Sequence, residues 1–136
     1  MKFLVRIVLS LCLLSGCKSP AFASQPIPFT TNNIIVAMIG EAEGESFEGK
    51  VAVACAILNR GTLKGVYGLH AKRAVRTPRL SKLYLTCLEA LREAKKHDIT
   101  KGSTNWENVN AFGQPYWASS MIKTVKIGNH QFYRKR

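Results

Sequence analysis

A chain of 136 residues is long enough for one core and too short for two domains of ordinary size. Apolar residues make up 46% and charged residues 21%, which excludes a disordered polyelectrolyte. Lys and Arg number 20 against 8 Asp and Glu, a net charge of +12, so nucleic acid, anionic lipid and peptidoglycan with its stem-peptide carboxylates all qualify as partners on charge.

The N-terminus narrows that choice. Lys2 and Arg6 precede and flank an apolar run, Ile7 to Leu14, too short to span a bilayer, which is the pattern of a secretory signal peptide. Export argues against nucleic acid. Leu14-Ser15-Gly16-Cys17 resembles a bacterial lipobox, in which Cys17 is lipidated and becomes the first residue, anchoring the protein to a membrane and facing it towards the cell wall. The alternative is cleavage after Ala21-Phe22-Ala23, giving a secreted or periplasmic soluble protein. We favour the lipobox because Cys17 follows the apolar run at once. The expected organisation is a signal peptide over 1–16 (alternatively 1–23), a tether over 17–33 rich in small residues and proline, and one monomeric domain over 34–136. Loss of Lys2 and Arg6 leaves a net charge of about +10.

Thr30 to Asn33 offers capping side chains ahead of Ile34-Ile-Val-Ala-Met-Ile39, which reads as a buried helix ending near Glu41. After Gly44, where a positive φ is expected, Ser46 caps a second helix with Phe47, Val51, Ala54, Cys55 and Leu58 on one stripe. Every position from Val51 to Leu58 is apolar, which places this helix at the centre of the core, and Asn59-Arg60-Gly61 ends it. Residues 62–78 read as a basic loop with one helical turn around Leu69 to Val75. A third helix presents Leu80, Leu83, Tyr84, Cys87, Leu88 and Leu91 on one face. Cys55 and Cys87 both fall on apolar faces and are expected as buried thiols, a disulfide being the alternative. His70, His97 and His130 are isolated, without the spacing of a zinc site, and neither metal nor cofactor is expected. Beyond Asp98 the pattern turns to Gly, Ser, Thr, Asn and aromatics, ending in a β-hairpin with its turn at Gly128-Asn129. The fold class is α+β, mainly helical, with a small C-terminal β-hairpin.

Half of the acidic residues fall in one window between the first two helices: Glu41, Glu43, Glu45 and Glu48. At least one carboxylate should be drawn into the buried junction, with like charges beside it and a helix C-terminus behind it, all of which raise its pKa. A carboxylic acid held protonated near neutral pH is what a glycosidase uses to protonate a leaving sugar oxygen. Glu41, at the helix end, is the candidate. The plainer alternative is a solvated acidic loop.

Ile34-Ile-Val-Ala-Met-Ile-Gly-Glu-Ala-Glu-Gly-Glu-Ser-Phe-Glu-Gly-Lys-Val-Ala-Val-Ala-Cys-Ala-Ile-Leu-Asn-Arg60 resembles the opening signature of the SleB-type cell wall hydrolases. Lys101-Gly-Ser-Thr-Asn-Trp-Glu107, Phe112-Gly-Gln-Pro-Tyr-Trp-Ala118 and Ile127-Gly-Asn-His-Gln-Phe-Tyr-Arg134 continue the resemblance. It implies a lysozyme-like or lytic-transglycosylase-like domain that cleaves the MurNAc–GlcNAc bond of peptidoglycan. Glu41, the first Glu of the Glu-Ala-x-Gly-Glu motif, is then the catalytic acid. Two departures stand out: Asn105 occupies the place of the histidine in the family's Gly-Ala-Thr-His segment, and residues 61–82 form a shorter and more basic stretch.

Outside the acidic window only Glu89, Glu93, Asp98 and Glu107 remain, none an evident second catalyst, which favours a transglycosylase in which one Glu serves as acid and then base. Glu45, Ser103, Thr104, Asn105, Trp106 and Tyr133 are the candidate substrate-binding residues, through hydrogen bonds or stacking on pyranose rings, with Tyr116 and Trp117 as further stacking candidates. His130 is read as a hairpin residue. The alternatives are a hydrolytic muramidase on the same fold, a non-catalytic peptidoglycan-binding lipoprotein and a basic secreted binder of an anionic polymer.

Overall fold

The computed structural model describes residues 25–136. The expected signal peptide, Cys17 and the first part of the expected tether lie outside the described residues. Helix α1 (Thr31–Ala42) starts where Thr30 Oγ1 accepts the Asn33 amide at 3.2 Å. Helix α2 (Phe47–Arg60) starts at Ser46, whose Oγ accepts the Gly49 amide at 3.2 Å, and stops at Gly61, whose φ of 66° suits glycine and whose amide closes on Ile57 and Leu58. Every residue from Gly49 to Ile57 is buried, so α2 is the central helix that the unbroken apolar run implies. A short helix α3 (Lys72–Arg76) follows a 3₁₀ turn at Tyr67–His70, and α4 (Lys82–Ala94) begins at Ser81, whose Oγ accepts the Tyr84 amide.

Helix α4 buries Tyr84, Cys87, Ala90, Leu91 and Ala94 against α1 and α2. Leu80 was expected on that stripe but is 86% exposed, because it precedes the Ser81 cap and never enters the helix. Phe47 is likewise exposed at the first turn of α2 rather than part of its buried stripe. Cys55 and Cys87 are free buried thiols. Burial pushes both above the ordinary thiol value, Cys87 to about 11.

Gly44, expected at positive φ, is not among the glycines in that region, and a Cβ there would meet nothing within 4 Å. The acidic turn is held instead by Lys50, only 6% exposed on α2, whose ammonium donates to the carbonyls of Glu43 (3.0 Å) and Glu45. A buried lysine needs such acceptors, and these two carbonyls at the exit of α1 need its donors.

The C-terminal part carries three antiparallel strands rather than a hairpin alone: β1 (Asn105–Glu107), β2 (Met121–Ile127) and β3 (His130–Lys135), in the order β1-β3-β2. Trp106 pairs with Phe132 across β1 and β3, and the β2–β3 turn falls at Gly128 (φ 57°) and Asn129 as expected. Asp98 feeds the chain into β1. One carboxylate oxygen accepts the Thr100 amide (2.8 Å) and hydroxyl (2.6 Å), and the other accepts the Gly102 amide (2.7 Å) and Asn59 Nδ2 (3.1 Å). Burial pushes the Asp98 carboxyl up, but these hydrogen bonds outweigh it and hold it below its ordinary value. Asn59, at the end of α2, also donates to the Ser103 carbonyl at 2.9 Å, so the central helix fixes the loop that leads to β1.

Candidate active site

Glu41 lies in the last turn of α1, where the sequence places it, and its side chain is met from two elements far apart in the chain. The Gly68 amide, in the 3₁₀ turn, donates to Oε1 at 2.6 Å, and the Trp106 indole N–H, on β1, donates to Oε2 at 3.3 Å. The Gly68 contact depends on close approach. A Cβ on Gly68 would stand 2.7 Å from Glu41 Cγ and 2.8 Å from the Ala37 carbonyl, and one on Gly40 would overlap the Gly68 backbone. Two glycines therefore let the 3₁₀ turn lie directly on α1, and that contact aims a backbone donor at the carboxylate.

The carboxylate opens into a cleft of about 500 Å³ between the acidic turn, the β1 strand and the β2–β3 turn. Arg60, at the end of α2, lines it and bonds the carbonyls of Thr104 (3.2 Å) and Lys64 (2.6 Å). Burial lowers the Arg60 guanidinium from its ordinary value, while the Glu41 carboxylate pulls it the other way. Exposed Tyr67 and Phe112 line the cleft, and Trp106 and Trp117 line it from half-buried positions.

The crowd of like charges expected around Glu41 is dispersed. Glu43 pairs with Arg73 of α3 rather than standing free in solvent. Glu45 turns to the hairpin: Oε1 accepts Asn129 Nδ2 at 3.0 Å, Oε2 accepts the Asn129 amide at 3.2 Å, and His130 Nδ1 stands 3.5 Å from Oε1. A Cβ at Gly128 would strike the Glu45 carboxylate, so that glycine serves the approach as well as the turn. Glu45 thus ties the β2–β3 turn to the acidic turn and fixes one wall of the cleft. Glu107, on β1, lines the same cleft, with Oε1 accepting the Asn108 amide at 2.9 Å.

Four of the expected sugar contacts, Ser103, Tyr133, Thr104 and Tyr116, do not line the cleft. Ser103 is 0% exposed, its hydroxyl donating to the Thr100 carbonyl, and Tyr133 is 0% exposed beneath Trp117, their rings edge to face at 5.2 Å. Ser103 is turned inward by its contacts with Thr100 and Thr124, and Tyr133 lies on the middle strand β3, on the face opposite Phe132, where Trp117 covers it. Burial, and secondarily Glu107, push the Tyr133 phenol above its ordinary value. Thr104 lines a neighbouring groove rather than the cleft, Asn105 and Trp106 line the cleft, and Tyr116 is 92% exposed outside it.

Two solved structures are similar to this chain over most of its length. The catalytic domain of the Bacillus cereus SleB protein aligns at 29% identity and a TM-score of 0.53, covering 80% of this chain and 94% of that one. The described residues have the fold of the SleB catalytic domain. The catalytic domain of the germination-specific lytic transglycosylase SleB from Bacillus anthracis aligns at 27% identity and a TM-score of 0.52, covering 79% of this chain and all of that one. No protein-family model and no curated protein matches the chain at a significant level.

The SleB-like fold brings to its cleft residues that sequence reasoning did not single out: Gly68, Arg60, Tyr67, Phe112, Asn129, and His130 as a cleft residue rather than a plain hairpin residue. Arg60 carries the one local signal, a cation closing the helix that begins at the acidic turn. The others reach the cleft only through tertiary contacts. Among the described residues, no three His, Cys, Asp or Glu side chains gather as a metal site, and no helix is long and apolar enough to cross a membrane.

Proposed function

We propose that the protein is a cell wall glycosidase that cleaves the MurNAc–GlcNAc bond of peptidoglycan as a lytic transglycosylase, with Glu41 as its only acid and base. The observation that carries the proposal is the Glu41 carboxylate at the floor of a cleft rimmed by aromatic side chains, held from behind by the Gly68 and Trp106 N–H groups. Similarity to a lytic transglycosylase catalytic domain supports the reaction class.

Glu41 first gives its proton to the glycosidic oxygen, and the bond to the muramyl anomeric carbon breaks with its electron pair on the leaving sugar. The substrate's own N-acetyl group stabilises the cation that develops. Glu41, now a carboxylate, takes the proton from the muramyl 6-hydroxyl as that oxygen closes on the anomeric carbon. The product is a 1,6-anhydro end, and Glu41 is protonated again. The two N–H donors keep one rotamer through both transfers, so the same carboxyl serves two oxygens without moving. Asn105 and Trp106 then contact the glycan, with Tyr67, Phe112 and Trp117 as apolar surfaces for pyranose faces. Glu45 acts by holding the hairpin wall.

A second reading, a hydrolytic muramidase, is favoured by one observation: Glu107 lines the same cleft and could activate a water. We further propose that Cys17 is the lipidated first residue of a chain anchored to a membrane and facing the wall, and mass spectrometry of the mature N-terminus tests this. An unlipidated N-terminus at Ser24 would contradict it. Incubation of the purified protein with peptidoglycan sacculi tests the enzymatic reading. Release of soluble muropeptides is expected, and sedimentation without release would favour a non-catalytic binder.

A further inference from the structure

A second depression, of about 600 Å³, lies beside the cleft and is bounded by Lys101, Lys123, Arg134 and Lys135 over a floor that includes Thr104, Ile122 and Thr124. All four cations are exposed, and none forms an ion pair among the described residues. No acidic residue lines the groove, although the cleft beside it is lined by three. Lys101 holds a left-handed backbone, φ 57°, where Gly or Asn would sit at less expense. The two depressions share the entry to β1. Thr104 lines the groove, and the next residue, Asn105, lines the cleft, so the two depressions meet along this stretch of chain.

We propose that this groove binds the carboxylates of the peptide stems carried by the glycan strand in the cleft. The inference rests on the proposed substrate and deepens it. A glycan lying along the cleft brings its stems to the cleft edge, and a few extended residues at about 3.3 Å each reach the groove. In the floor, Thr104 Oγ1 donates to Asn105 Oδ1 and Thr124 Oγ1 bonds Ser103 Oγ, so each hydroxyl oxygen keeps lone-pair capacity for a peptide N–H, and the four cations suit free carboxylates. Part of the chain's basic excess, four of its 20 Lys and Arg, acquires a location and a role: the cleft itself reads an uncharged sugar backbone, and the neighbouring groove reads its acidic side branches.

The experiment uses the full chain carrying Glu41→Gln, so that binding is measured without turnover, on intact sacculi and on the same sacculi with their stem carboxylates amidated. Adding Lys123→Glu and Arg134→Glu should weaken binding to intact sacculi by about tenfold, the scale of a few exposed ion pairs lost or reversed. Binding to amidated sacculi should change little. Lys123→Gln with Arg134→Gln should give an intermediate loss, and unchanged thermal unfolding of both variants establishes that the fold is retained. Equal losses on both kinds of sacculi, or none on either, would overturn the proposal. So would equally tight, equally charge-dependent binding to polyglutamate or to phosphatidylglycerol vesicles, which would make the groove a general polyanion surface. If the chain with Glu41 intact releases no muropeptides, the enzymatic reading fails alone, because the binding comparison does not depend on cleavage.

Discussion

Replacing Gly68 by alanine is the smallest change that should separate the 3₁₀ turn from Glu41. The new methyl would stand 2.7 Å from both Glu41 Cγ and Glu41 N and 2.8 Å from the Ala37 carbonyl, about 1 Å inside ordinary contact. Two of those three atoms are helix backbone and cannot rotate away, so the turn must lift from α1. Overpacking of this kind costs about 1–3 kcal/mol, and losing the 2.6 Å amide bond to a carboxylate adds about 1.5–3 kcal/mol if the groups are left apart. Partial relaxation makes a net loss of about 2–4 kcal/mol reasonable, which for a domain of this size lowers Tm by roughly 10 °C or more. Turnover on peptidoglycan, measured well below the new Tm, should fall because the carboxyl has lost its backbone anchor. Gly44→Ala is the control, since a Cβ there meets nothing within 4 Å and it should be nearly neutral in both assays. A Gly68→Ala protein that melts within a degree of the parent and retains its turnover would refute the reasoning.

Trp106→Phe keeps the ring in the cleft and deletes the N–H that reaches Glu41 at 3.3 Å; muropeptide release should slow about tenfold with little change in melting, the scale of one hydrogen bond to a charged group. Asp98, whose carboxyl is held below its ordinary value, contributes stability that is complete above the unfolded carboxylate value of about 4 and is lost as pH falls through the lower folded value. Denaturant titrations from pH 5 downwards should therefore show a shallower acid loss in Asp98→Asn than in the parent, and identical slopes would remove Asp98 from the account. Cys87, pushed up to about 11, is about one part in a thousand thiolate at pH 8, so it should resist iodoacetamide in the folded protein and react once denatured. Rapid labelling of Cys87 under native conditions would contradict its burial in the core.

The helical half of the fold was legible because its signals are local. The Thr30 and Ser46 caps, the Gly61 stop and the unbroken apolar run of α2 each act within a turn or two of chain, and they place Glu41 at a helix end without reference to anything distant. Leu80 misled because apolar spacing was weighed above the Ser81 cap, which in fact decides where α4 begins. Strand β1 was hidden because three residues, Asn105, Trp106 and Glu107, are too few to show alternation, and it exists only by pairing with β3. The same reason separates Asn105 and Trp106, which reach the cleft, from Ser103 and Tyr133, which do not: strand register and the Asp98 network set their directions, and neither is written in local composition. Gly40 and Gly68 were invisible for a further reason. Neither requires a positive φ, and their role is a contact between segments 28 residues apart. The acidic window does lie at the junction of α1 and α2, as its sequence implies, but how its carboxylates are shared out follows from partners in α3 and the hairpin, Arg73 for Glu43 and Asn129 for Glu45.

The central claim is that one carboxyl, Glu41, both gives and recovers the proton. Its most direct test is digestion of peptidoglycan in oxygen-18 water by the parent chain and by Glu41→Gln, with mass spectrometry of the new glycan ends. The amide keeps the shape, although its single oxygen can accept only one of the Gly68 and Trp106 N–H groups, and it cannot transfer a proton. The account predicts 1,6-anhydro ends without label from the parent and no cleavage from Glu41→Gln, whose fold and wall binding are unchanged. Labelled reducing ends would mean a hydrolase with a second carboxylate, Glu107 foremost, and full activity in Glu41→Gln would contradict the assignment of the site.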